Sequence, residues 1–230
     1  MKSEIPWIKI PPVREVDIGG VLGDIEAHMP ANHIYRDKDK VTWAHETTHG
    51  LNSRIRNEHG KSGDNGFYAL HSYGIIIKEP PFTITQLARR IPSEWRAPAT
   101  YNLYLVQSRR YWDNQPLYML DEWIAYTNGT LTGMDYNLES RTIYSFQLAL
   151  EFTKYVEVLV SFAQEVASPY CSITPEDYDT STLQHFYDWH IIRLRYIYES
   201  ATKDGWLTSK HQKYADLLHM KDNYDHNSVT

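Results

Sequence analysis

Cysteine is almost absent from this chain of 230 residues, in which Cys171 is the single one. One thiol excludes an internal disulfide and any metal site built from several cysteines. Long apolar runs are absent as well, and residues 1–6 lack the apolar stretch of a secretory signal. We therefore expect a soluble chain without a membrane span, either cytoplasmic or exported by a signal that this sequence does not contain.

Positive charge is also scarce. The 23 Lys and Arg residues stand against 29 Asp and Glu, which gives a formal net charge of -6, and no basic run stands out. We therefore expect no nucleic-acid partner, because the sequence indicates no basic surface that could bind phosphate groups. The apolar fraction of 42% is ordinary for a globular protein, and this length can bury one good core or two small lobes around a cleft.

The sequence HETTH at residues 45–49 is the most informative stretch of the chain. Residues four apart lie on the same face of an α-helix, so His45 and His49 can both reach one metal ion. Glu46 lies beside the first histidine, where it can act as general base towards a metal-activated water. The pattern predicts a zinc site with His45 and His49 as ligands and Glu46 as a catalytic residue. The alternative is a chance pair of histidines four residues apart.

The residues around the motif have the period of a core-facing helix. Apolar or small residues recur at three- and four-residue steps, at Val41, Ala44, Thr48, Leu51 and Ile55. Asp37 or Asp39 can cap the start of this helix, and Gly60 can end it. The histidines form a neighbouring stripe with Asn52.

A catalytic zinc site has three protein ligands and one open position, so a third ligand is needed. The metzincin pattern would require glycine and histidine where Asn52 and Ile55 stand, and the aspzincin pattern is not met either. The remaining common solution is a glutamate on a later helix. Glu122 is the best candidate, because apolar residues flank it and small Ala125 would allow two helices to approach closely. The alternatives are a solvated surface glutamate at 122 and a different third ligand such as His71.

With Glu122 as the third ligand, the chain resembles the gluzincins, the zinc peptidases that combine HExxH with a downstream glutamate. The Glu-x-x-Ala segment at 122–125 is similar to the small lethal-factor-like and Pro-Pro-endopeptidase-like groups. The resemblance covers residues 45–49 and 122–125 with the helices around them. Thermolysin-like members carry an aspartate where Tyr126 stands, and lethal-factor-like members carry a catalytic tyrosine where Gln115 stands.

The resemblance implies a zinc metallopeptidase with Zn²⁺ as cofactor and a peptide or protein as substrate, an endopeptidase in preference to an exopeptidase. Tyr118, one helical turn before Glu122, is the predicted catalytic donor to the oxyanion. Other candidates for that donor are Tyr111, His71, Arg109 and Arg110. Two further functions stay open: a zinc-binding regulatory or interaction protein on a zincin scaffold, and a zinc amidase that acts on cell-wall peptides. The oligomeric state is not predicted.

The expected fold class is α+β, mainly α, and zincin-like, with a small N-terminal β part, the active-site helix and a C-terminal helical lobe. We expect a single catalytic domain over 1–230, in which 1–80 form the β-containing lobe and 81–230 the helical lobe. Strands are predicted at 67–70 and 73–78, and short extended segments at 7–10, 13–18 and 33–36. Helices after the motif are predicted at 83–90, 99–111, 116–128, 138–167, 180–203 and 208–219. Gly129 is expected to end the helix at 116–128.

Overall fold

The computed structural model describes residues 5–168 and 178–207, together with Ala215, Leu217 and Leu218. This part is mainly helical with a small antiparallel sheet of three strands, which confirms an α+β, mainly α architecture. The strands are β1 (Ile8–Lys9), β2 (Asp64–Leu70) and β3 (Tyr73–Lys78). The α-helices are α1 (Gly20–Ala27), α2 (Lys40–His59), α3 (Ile84–Arg90), α4 (Arg109–Trp112), α5 (Tyr118–Asp135), α6 (Glu139–Ala167) and α7 (Ser181–Lys203).

Two shorter helical pieces complete the described part: a 3₁₀ turn at Ser93–Trp95 and a π-helix at Tyr101–Gln107. Cys171 and most of the helix predicted at 208–219 lie outside the described residues. None of the helices in the described ranges combines the length and the apolar character needed to cross a bilayer.

Helix α2 carries residues 45–49 and confirms the predicted bounds. The Asp39 side chain accepts a hydrogen bond from Val41 N at 3.1 Å, and the N–H of Gly60 donates to Arg56 O at 2.9 Å. The predicted apolar stripe is buried along its whole length: Val41, Ala44, Thr48, Leu51 and Ile55. Because this stripe faces the core, the neighbouring stripe with both motif histidines lies at the edge of the buried face.

The sheet has the order β1-β3-β2, so β2 is an edge strand. Strands β2 and β3 form a hairpin in which Asp64 pairs with Lys78 and Phe67 with Ile75. A larger apolar core packs one side of the sheet against α3, α5, α6 and α7, and a smaller core lies between the other side, α1 and α2. The sheet therefore supports α2 from one side while α5 packs against it from another.

Gly66 allows β2 to lie directly against α2. A Cβ atom at this position would be 2.4 Å from Arg56 N and 2.8 Å from Ile55 Cγ2. We expect Gly66→Ala to lower the free energy of unfolding by about 3 kcal/mol, because the clash involves backbone that cannot move aside. Urea denaturation measures the change. The control is Gly19→Ala, where a Cβ would meet nothing within 4 Å; it should cost no more than about 1 kcal/mol, and equal losses in the two variants would contradict the prediction.

The predicted end of a helix at Gly129 is wrong, since α5 continues to Asp135. A Cβ on Gly129 would lie 3.2 Å from Val41 O and 3.1 Å from Ser145 Oγ, and one on Gly133 would lie 2.3 Å from Thr142 Oγ1. Both glycines therefore permit close packing of α5 against α2 and α6. This packing outweighs the cost of about 1 kcal/mol that each glycine imposes on a helix.

Other differences concern the N-terminal region and residues 99–111. Of the three extended segments predicted in the N-terminal region, only 7–10 contributes to a strand, which is β1. The segments 13–18 and 33–36 belong to no strand. Helix α1 was not predicted, because its eight residues include two glycines and are too few to repeat a helical period clearly. The helix predicted at 99–111 is a π-helix followed by the short α4. The helices predicted at 83–90, 138–167 and 180–203 are confirmed to within one residue.

Candidate metal centre

The side chains of His45, His49 and Glu122 meet between α2 and α5. The two Nε2 atoms of the histidines are 3.1 Å apart, and Glu122 Oε2 lies 3.6 Å from His45 Nε2 and 3.7 Å from His49 Nε2. A tetrahedral ion with bonds of about 2.0–2.2 Å holds its ligand atoms about 3.3–3.6 Å apart. The three atoms thus form a triangle of the size that could hold a metal ion.

Helix α5 brings Glu122 to the triangle as a buried side chain with 3% of its surface exposed. One carboxylate oxygen, Oε1, accepts a hydrogen bond of 2.6 Å from the Tyr118 hydroxyl. The other, Oε2, is buried and has no hydrogen-bond partner in the described part of the chain. A buried carboxylate oxygen without a partner is costly unless a cation is nearby. Its position, directed at the two imidazoles, therefore fits a metal ligand.

Asp121 orients the second histidine. Its Oδ2 accepts a hydrogen bond of 2.6 Å from His49 Nδ1, and its Oδ1 accepts one of 2.6 Å from Asn52 Nδ2. Asn52 Oδ1 in turn accepts from the backbone N–H of Tyr68 in β2 at 2.7 Å. Protonation of His49 at Nδ1 leaves the lone pair on Nε2, the atom of the triangle.

Asp121 is not predicted from the sequence, because the resemblance to thermolysin-like proteins places the orienting aspartate four residues after Glu122. Tyr126 stands there, and its ring packs on the His45 ring with centroids 4.3 Å apart. Among the described residues His45 Nδ1 is buried without a hydrogen-bond partner, so none of them holds this histidine as Asp121 holds His49. The available clue to Asp121 was Asn52, which belongs to the stripe of the histidines and can hold an acid beside them.

Burial and neighbouring charges shift the pKa values of the three side chains. Burial, followed by the charge of His49, lowers the pKa of His45 to about 3. Burial also acts to lower the pKa of His49, but Asp121, Glu122 and Glu46 outweigh it and raise that pKa to about 9. Burial raises the pKa of Glu122 to about 7 against the opposing effects of His49 and Tyr118. A dication bound by the three side chains would displace the protons that His49 and Glu122 carry near neutral pH. Metal binding would therefore release protons.

The triangle opens into a cavity of about 450 Å³. Glu46 is exposed and lines this cavity beside the metal-ligand candidates. The cavity is also lined by residues of the π-helix, of the segment that follows it and of the start of α5: Leu103, Tyr104, Ser108, Trp112, Gln115 and Tyr118. A second cavity, of about 520 Å³, lies between α6 and α7 and contains none of the three ligand candidates.

The candidates for an oxyanion donor are placed differently. Tyr118 lines the cavity, whereas Arg109, Arg110, Tyr111 and His71 are exposed and do not. His71 lies in the turn between β2 and β3, where its backbone N–H donates to Asp24 Oδ2 at 3.0 Å.

Tyr104, which lines the cavity from the π-helix, is likewise not predicted from the sequence. Its hydroxyl lies 3.0 Å from that of Tyr126. Short π-helical stretches occur often at functional sites, but the sequence contains no pattern that distinguishes one from an α-helix.

Comparison with models of known protein families, with curated proteins and with solved structures produced no match to this chain. The function is therefore inferred from the chemistry of the site.

Proposed function

We propose that this chain is a zinc metallopeptidase of the gluzincin type with a zincin-like fold, and that it hydrolyses internal peptide bonds. The observation that carries the proposal is the triangle of His45, His49 and Glu122 with the carboxylate of Glu46 in the same cavity. Structural zinc sites are generally closed by four protein ligands, whereas catalytic sites have three. The described residues supply three, and the triangle adjoins a cavity in which a substrate can lie.

Two histidines and one glutamate are the ligand set of several zinc hydrolases. When bound, zinc would supply a Lewis acid that polarises a carbonyl group and lowers the pKa of a water molecule. His49 is prepared for this role by Asp121, which holds the proton on Nδ1. Glu122 is prepared by Tyr118, which occupies Oε1 and leaves Oε2 free.

Glu46 is the group that handles the proton. Its side chain is exposed towards the cavity and makes no hydrogen bond or ion pair with the described residues. It can therefore accept a proton from the attacking water and return it to the leaving amine. A purely structural metal site needs no free carboxylate at this place, which favours an enzyme.

The oxyanion needs a hydrogen-bond donor in addition to the metal. Tyr118 remains our first candidate, although its proton is engaged with Glu122 Oε1 and would have to be redirected. Tyr104 is the second candidate. It lines the same cavity, and within the described ranges its hydroxyl is engaged only with the hydroxyl of Tyr126. An extended peptide would lie along the edge strand β2, whose residue Asn65 also lines the cavity.

The test combines metal analysis with a cleavage assay. We expect one zinc per chain by elemental mass spectrometry and internal cleavage of a synthetic peptide library with blocked ends, detected by mass spectrometry. Chelation should remove both zinc and activity, and zinc should restore them. Zinc binding without cleavage would contradict the peptidase and favour the regulatory protein, and cleavage of cell-wall peptides alone would favour the amidase.

A further inference from the structure

We propose that the cavity contains a subsite for a negatively charged group of the substrate, formed by Arg56 with Ser53 and Asn65. The inference rests on the proposed function, since it names the substrate class of the same site. The expected substrates are peptides that carry a carboxylate one or two residues from the scissile bond. The carboxylate belongs either to an acidic side chain or to a chain terminus.

The subsite lies on the same helix as the metal-ligand candidates. Ser53 and Arg56 follow His49 by one and two turns of α2, and all three side chains line the cavity. The Arg56 side chain runs back along the helix, because its Nη2 donates to Ser53 Oγ at 2.9 Å. The guanidinium group therefore lies beside Ser53, whose Cα is about 6 Å along the helix axis from that of His49.

This distance suits a substrate held at the metal. An extended chain advances about 3.3–3.6 Å per residue, so one or two residues cover a rise of about 6 Å along the helix. The planar guanidinium can pair with a carboxylate through two parallel hydrogen bonds.

The charge of Arg56 is at most partly offset by its neighbours among the described residues. Its hydrogen bonds go to the neutral side chains of Ser53 and Asn57, and it forms no ion pair with any residue of the described ranges. Among the residues described as lining the cavity, it is the single Lys or Arg. The acidic lining residues Glu46, Asp121 and Glu122 belong to the metal end, so the two ends of the cavity differ in charge.

The wall facing Arg56 is held in place by β2. Gly66 brings the strand into contact with the backbone of Arg56, and the neighbouring Asn65 lines the cavity. Asn65 Nδ2 donates to Glu79 Oε1, which anchors this wall. Burial raises the pKa of Glu79 to about 7, in spite of hydrogen bonds and of the charge of Arg56 that act to lower it. Glu79 therefore offsets the charge of Arg56 only in part near neutral pH.

The test is a calorimetric titration of the zinc-loaded protein with dipeptides that carry a metal-chelating hydroxamate at one end. The second residue is Glu or Gln, and the C terminus is a free acid or an amide. We expect the dipeptide with a carboxylate to bind roughly 10- to 100-fold more tightly than the uncharged Gln amide. If the Glu amide binds more tightly than the Gln amide, the subsite recognises an acidic side chain. If the Gln acid binds more tightly than the Gln amide, the subsite recognises a chain terminus.

Arg56→Gln should abolish this preference and leave the affinity for Gln amide unchanged. The control is Arg54→Gln on the same helix, because Arg54 pairs with Glu58 and does not line the cavity; it should keep the preference. Zinc content and circular dichroism show that the variants are folded. Equal affinities for all four dipeptides, or an unchanged preference in Arg56→Gln, would overturn the subsite.

The titration needs bound metal but no hydrolysis, which separates this inference from the proposed reaction. A carboxylate preference in a protein without cleavage would refute the peptidase and leave the subsite standing. Cleavage without a carboxylate preference would overturn the subsite and leave the peptidase standing. If no hydroxamate binds, the inference fails together with the metal site.

Discussion

Glu46→Gln should keep its zinc and lose hydrolysis by a factor of about 10²–10⁴, the range typical of a lost general base. The amide has nearly the same shape as the carboxylate but cannot accept a proton from water at neutral pH. Because Glu46 is exposed and makes no hydrogen bond or ion pair with the described residues, the fold should not change. The measurement is kcat/KM on a cleaved library peptide, with zinc content determined on the same sample.

Glu58→Gln is the matched control for this variant. Glu58 lies on the same helix, is exposed and forms hydrogen bonds or ion pairs only with Arg54 and His59 among the described residues. It should retain the wild-type kcat/KM. Cleavage by Glu46→Gln at the wild-type rate would place the base elsewhere, and loss of zinc in this variant would show that Glu46 acts on the metal site itself.

Glu122→Ala should weaken zinc binding by more than 100-fold. The substitution removes the only carboxylate of the triangle and leaves two neutral imidazoles to balance a dication. The loss should exceed that of Asp121→Asn, because outer partners of a ligand typically account for about 10- to 100-fold. Competition with a chromophoric chelator gives both affinities.

Glu139→Ala serves as the control for Glu122→Ala, since Glu139 is exposed at the start of α6. Its zinc affinity should equal that of the wild type. An unchanged affinity in Glu122→Ala would contradict the His-His-Glu ligand set, even if both histidines proved essential. His45→Ala or His49→Ala would then show whether α2 alone supplies the ligands.

The sequence by itself determined the features that depend on neighbours along the chain. An aspartate cap, a glycine stop and an apolar stripe at helical spacing defined α2, because hydrogen bonding and side-chain period within one helix are local. The same spacing placed His45 and His49 on one face. The apolar neighbours of Glu122 and the small side chain of Ala125 predicted a helix that packs closely on α2. Glu122 and Ala125 are indeed buried, and α5 packs against α2.

The tertiary structure alone decided what meets across helices and strands distant in sequence. Asp121 binds His49, Tyr104 reaches the cavity through a π-helix, and Arg56 lines the same cavity as Asn65 of β2. Each of these positions depends on how a helix is rotated about its axis and how closely its backbone approaches a neighbour. Gly129 illustrates the point, since the preference of glycine to end a helix is about 1 kcal/mol, and close packing on Val41 and Ser145 overrides it.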